Sequence, residues 1–75
     1  MRARLTVIIV AWNHPELLAR CLDAVLRHLP EAQVIVVDNA SQPPLHVPPG
    51  VTLLRAPRNL GFAGGNNLAL PHAEG

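Results

Sequence analysis

Lysine and tyrosine are absent from this chain, and cysteine, tryptophan, phenylalanine and methionine occur once each. Without lysine there is no P-loop, whose Gly-Lys-Ser/Thr run cradles phosphate, and no amine for Schiff-base chemistry. The single Cys21 cannot close an internal disulfide. It falls in an apolar stretch, where a small buried thiol is expected, and it fits a reducing compartment. Charge is sparse as well, at 15% of residues against about 25% in ordinary globular domains, while 49% are hydrophobic. That balance excludes a disordered tail. The six arginines, Arg2, Arg4, Arg20, Arg27, Arg55 and Arg58, are dispersed and the net charge is only +1. No basic stripe follows a phosphate backbone, so nucleic acid is not an expected partner.

The 75 residues leave room for one domain or part of one, since a chain of this size buries only about 60% of its unfolded surface. Residues 1–12 have the outline of a signal peptide, but no small-x-small cleavage pattern follows and the run ends in Asn-His-Pro-Glu. Its apolar part is also much shorter than the roughly 18 residues a membrane span needs. No membrane segment is expected, and the chain reads as cytoplasmic or at the inner face of the membrane.

What is present alternates in period. Residues 5–11, Leu-Thr-Val-Ile-Ile-Val-Ala, form a β-branched run that suits a strand covered on both faces of a parallel sheet. Asn13 or His14 can cap a helix beginning at Pro15, with Glu16 favoured by the helix dipole. Leu18, Leu22, Val25 and Leu29 recur at helical spacing with Cys21 beside them. Glu16 with Arg20 and Asp23 with Arg27 are i, i+4 pairs for a solvent face, and Pro30 ends the helix. Residues 34–37, Val-Ile-Val-Val, make a second buried strand, joined to the first as a parallel neighbour by a right-handed crossover. From Asp38 to Gly50 four prolines imply a surface connection. A third strand follows over residues 51–55, then a Gly-rich loop over residues 57–65. A short helix is expected from about Asn66, kinked or restarted at Pro71. The order β-α-β-β-α predicts an α/β fold: a partial Rossmann-like half-domain of three mainly parallel strands, a crossover helix and a short C-terminal helix.

In such sheets ligands bind outside the carboxyl ends of the strands. The candidate segments are Trp12-Asn13, Asp38-Asn39-Ala40-Ser41 and the run from Arg58 to Asn67. A carboxylate at the tip of the second strand can accept from a base or ribose, and a Gly-rich loop opening a helix offers N–H groups to phosphate. Taken alone, Asp38 reads first as a local Asx-turn or cap, and Gly61, Gly64 and Gly65 as turn and packing glycines. A dinucleotide fingerprint fails, because the first strand-to-helix turn, Trp12-Asn13-His14-Pro15, contains no glycine. His14, His28, His46 and His72 have no ligand-like spacing with Cys21 or an acid, so no metal site is assigned within the chain. Ser41 lacks a nucleophile elbow.

Together, residues 5–13, the Pro15-Glu16-Leu17-Leu18 helix start with Cys21-Leu22, the Val36-Val37-Asp38-Asn39-Ala40-Ser41 run and the Asn59-Leu60-Gly61-Phe62-Ala63-Gly64-Gly65-Asn66-Asn67 run resemble the N-terminal part of family 2 glycosyltransferases of the GT-A fold. Within that family they look most like the rhamnosyltransferase-type branch. The resemblance spans nearly all of residues 1–75 and implies the N-terminal, incomplete nucleotide-sugar-binding portion of such a domain. It implies a UDP- or dTDP-linked sugar as donor, transfer of a hexosyl group to a glycan or cell-envelope acceptor, and inversion at the sugar carbon. By the same resemblance Asp38 holds the pyrimidine, Ala11, Trp12 and Asn13 lie against the nucleoside, and Asn59 and Gly61 form the loop beside it. Asn66 stands where many relatives carry an arginine near the diphosphate. The Mg²⁺ or Mn²⁺ expected for the parent enzyme would be held by an Asp-x-Asp motif, and no two of Glu16, Asp23, Glu31, Asp38 and Glu74 have that spacing. Its ligands and the catalytic base are therefore expected outside this chain, and the isolated chain is expected not to turn over. The competing readings are a non-catalytic nucleotide-binding or interaction module of truncated α/β fold and a generic doubly wound domain.

Overall fold

A computed structural model describes residues 5–75. Residues 1–4, with Arg2, Arg4 and the start of the signal-peptide outline, lie outside the described residues. The elements are β1 (Thr6–Ala11), α1 (Pro15–His28), β2 (Gln33–Asp38), β3 (Thr52–Arg55) and α2 (Gly61–Ala69), followed by a 3₁₀ turn (Leu70–His72). The three strands form one parallel sheet in the order β1-β2-β3. No helix among the described residues is long and apolar enough to cross a membrane.

The central strand explains the layering. Side chains alternate across a strand, so β2 sends Val34 and Val36 to one face and Ile35 and Val37 to the other. The first pair packs with Leu18 and Leu22 of α1 and with Leu45. The second pair packs with Ala69 of α2, flanked by Ile8, Val10 and Leu54. Ile35, Val36 and Val37 are wholly buried, and each such side chain contributes about 1.5–3 kcal/mol of transfer free energy. β2 is thus the strand covered on both faces. β1, expected to be covered likewise, is half-buried along its whole length because β2 is its only strand partner among the described residues.

Helix α1 begins at Pro15 and ends before Pro30 as expected, but neither Asn13 nor His14 caps it through a side chain. Both residues take left-handed backbone angles (φ +55° and +54°), and the Asn13 amide oxygen instead accepts the Gln42 N–H (3.0 Å). The buried stripe is narrower than the periodicity suggested. Leu18 and Leu22 are buried, whereas Leu29 is exposed. Cys21, expected in the core, is exposed too, since it lies to one side of the stripe. Of the two i, i+4 pairs, only Asp23 and Arg27 meet.

The Pro-rich segment after β2 is more than a surface connection, because Leu45 within it reaches the core at 2% exposure. Val51, assigned to the third strand from sequence, precedes it. The larger correction concerns the Gly-rich run: residues 61–65 are not loop but the first turns of α2, which starts five residues earlier than expected. Helix there is possible because Gly65 lets α2 lie directly on β1. A β-carbon on it would meet the Val10 methyls at 2.7 and 3.0 Å. The α-helix ends at Ala69 and Pro71 lies inside the 3₁₀ turn that begins at Leu70, the expected restart.

At the amino ends of the strands, Gln33 fastens the last residues. Its amide donates to the His72 carbonyl (2.8 Å), and its oxygen accepts from Thr6 Oγ1 (2.8 Å) and the Glu74 N–H (2.7 Å). The Gly75 N–H donates to Thr6 Oγ1 (3.0 Å).

Replacing Gly65 with alanine should force α2 off β1 and cost about 1–3 kcal/mol, the usual range for overpacking. A thermal melt of the variant equal to that of the parent chain would show that the contact yields freely.

Candidate functional site

Parallel strands bring their carboxyl ends to one edge, and the register aligns Ala11, Asp38 and Arg55 across it. The residues that follow build a bonded ring. Asp38 closes β2 with its side chain 2% exposed. One carboxylate oxygen accepts the Ser41 N–H (2.9 Å) and the other the Leu45 N–H (3.0 Å). Arg55 donates to the Leu45 carbonyl (3.0 Å), so the turn is held from both sides.

Burial alone would raise the pKa of Asp38. The Ser41 hydroxyl, the Leu45 and Ser41 N–H groups and the Arg55 guanidinium outweigh it and hold the carboxyl below its ordinary value. At neutral pH this group is an ionised acceptor at the centre of the edge.

Ser41 links Asp38 to the end of β1, because its hydroxyl oxygen accepts the Asn13 N–H (2.7 Å). With the Asn13 side chain bonded to Gln42, the two turns clasp each other. This accounts for the left-handed backbone at Asn13, a residue type that tolerates it. Ala40, in the facing turn, is left-handed as well (φ +62°). Three non-glycine residues in that region thus sit at one edge, where over-determined turns concentrate. Trp12 projects beside them at 53% exposure.

The entrance to α2 joins the ring through Asn39, which sequence reasoning passed over as one member of a run. Asn39 is buried, and its backbone N–H donates to the Ala11 carbonyl (2.8 Å). Its side chain accepts the Leu60 N–H (3.2 Å) and donates to the Gly61 carbonyl (3.1 Å). Asn59 accepts the Gly61 N–H (2.8 Å) and so satisfies the first amide of the helix. Gly61 has φ +71° and nothing within 4 Å of where a β-carbon would stand, so backbone conformation demands glycine while the space beside it stays open.

Six of the seven candidate residues, Ala11, Trp12, Asn13, Asp38, Asn59 and Gly61, therefore lie along this edge. Asn66 sits one turn further along α2, with its amide donating to the Phe62 carbonyl (3.0 Å). Ser41 and Asn39 complete the arrangement. Their signal in the sequence was the polar run directly after a buried strand, where short polar side chains bond to neighbouring backbone. Among the described residues no three His, Cys, Asp or Glu side chains converge as a metal centre would require. They do not by themselves fit a divalent cation.

Comparison with family models matches residues 6–75 to the family described as Glycosyl transferase family 2. Comparison with curated proteins and with solved structures gives no match.

The lowered pKa of Asp38 sets a pH dependence. Its folded value lies below the unfolded one, so the unfolded chain takes up the proton first as pH falls. The stabilisation should be complete above about pH 5 and drain away from about pH 4 downward. In Asp38→Asn the new amide would point a donor at one of two N–H groups, costing about 1–3 kcal/mol at pH 7. Melting temperatures at pH 7, 5 and 3 should show that variant losing less on acidification than the parent chain; equal losses would place the acid sensitivity elsewhere.

Proposed function

Since the chain belongs to glycosyl transferase family 2, we propose that the carboxyl edge of its sheet receives the nucleotide of a UDP- or dTDP-linked sugar. The hexosyl group then passes to a glycan or cell-envelope acceptor with inversion, as in the rhamnosyltransferase-like branch. The observation that carries this reading is the buried Asp38 that ends the central strand, its carboxyl held below its ordinary pKa, with the exposed Trp12 following β1 and the open surface of Gly61 at the entrance of α2 along the same edge. Uracil and thymine both present a ring N–H that a carboxylate can accept. Each oxygen of Asp38 has a second lone pair beyond its backbone bond.

Ala11 and Asn13 set the floor beside the base, and Trp12 supplies an apolar plane against which a base can stack. Asn59 fixes the turn that presents Gly61. The first turn of α2 leaves the Phe62 and Ala63 N–H groups without intrahelical partners, and these suit the anionic diphosphate. Asn66 carries no charge and can offer its amide alone. The family's Mg²⁺ or Mn²⁺ would offset charge on the leaving diphosphate. The described residues do not form its site, so these side chains are assigned to nucleotide binding only.

The alternative, a non-catalytic module that keeps the fold, draws on one observation: both Asp38 oxygens already serve the backbone. The single tryptophan separates the readings, because its fluorescence reports on this edge alone. UDP and dTDP should quench Trp12 saturably and ADP should not. Equal quenching by ADP would refute the pyrimidine assignment at Asp38, and silence towards all three would refute nucleotide binding.

A further inference from the structure

We propose that Asn39 is a positioning residue for donor binding, setting the entrance of α2 against the end of β2 without touching the ligand itself. The proposal rests on the nucleotide-sugar reading of this edge. Asn39 is 2% exposed, and its three bonds reach the end of β1 and both Leu60 and Gly61 at the start of α2. No other side chain bonds β2 to the entrance of α2 among the described residues.

The chemistry calls for asparagine. Leu60 offers a donor and Gly61 an acceptor, and a side-chain amide answers both from one planar group. Aspartate would turn an oxygen towards the Gly61 carbonyl, serine could not span both, and leucine would satisfy neither. The body of α2 is held independently, by Gly65 against Val10 and by the buried Ala69. Loss of the Asn39 amide therefore falls on the orientation of the first turn, where Asn59, Gly61 and the free N–H groups lie. The fold as a whole depends on it much less.

Two variants test this, Asn39→Ala and Asn39→Asp, beside Gln33→Ala, which breaks bonds at the opposite edge of the sheet. Amide hydrogen exchange at Leu60 and Gly61 and UDP titration followed by Trp12 fluorescence are the readouts, with circular dichroism confirming that each variant is folded. Asn39→Ala should exchange faster at Leu60, while Asn39→Asp keeps an acceptor there and loses only the bond to the Gly61 carbonyl. Both should bind UDP roughly tenfold more weakly, whereas Gln33→Ala should lose stability and keep its affinity. Parent-like UDP affinity in folded Asn39→Ala would overturn the positioning role while leaving nucleotide binding intact. Unchanged exchange at Leu60 in Asn39→Ala would overturn it from the structural side. If the parent chain itself fails to bind UDP, the nucleotide reading falls and this inference with it.

Discussion

Everything at the carboxyl edge hangs on one carboxylate accepting two backbone N–H groups. A buried strand that ends without such a group would leave the next turn to find its own partners, and buried amides without partners are costly. Asp38 meets that demand for Ser41 and Leu45 together. The consequences run outwards: Leu45 is drawn into the core against α1, Ser41 is held where it can receive Asn13, and the end of β1 is fixed. The most constrained spot in the fold and the proposed binding edge are thus the same place, and stability and the proposed recognition would share one side chain.

That sharing shapes the electrostatics. An acid so deeply placed would ordinarily favour its neutral form, yet here the surrounding donors and Arg55 keep it charged. The charge is prepared before any ligand arrives, so binding need not reorganise it, the condition under which a polar site is most effective. Around it the surface is mixed: an exposed indole, a bare glycine and the amides of a helix start. Such a combination suits a ligand with a flat ring at one end and negative charge at the other.

Periodicity made much of this legible. The β-branched runs located the strands, and the leucine spacing located α1. What it could not show was rank within the sheet. The runs at residues 5–11 and 34–37 look alike, yet one is the edge and the other the centre, because burial depends on neighbours distant in sequence. Cys21 and Leu29 misled for the same reason, lying on a stripe wider than the surface available to cover it. The glycines at 61, 64 and 65 looked like loop residues because glycine has poor helix propensity. Contact between Gly65 and Val10 overrides that propensity, which local reasoning does not register. That the candidate residues lie along one edge was readable from their place after strands, but the partnership of Asn39 with Leu60 and Gly61 spans more than twenty residues and has no local signature.

The Gln33 cluster has a mechanical corollary. It joins Thr6 to Gly75, so the two ends of the described chain meet at the edge of the sheet opposite Asp38. Tension applied between those ends would load the Gln33 and Thr6 bonds first and peel them one at a time, as a zipper opens. The turns around Asp38 lie beyond that line of force and would feel it last, after the terminal segment had already come away.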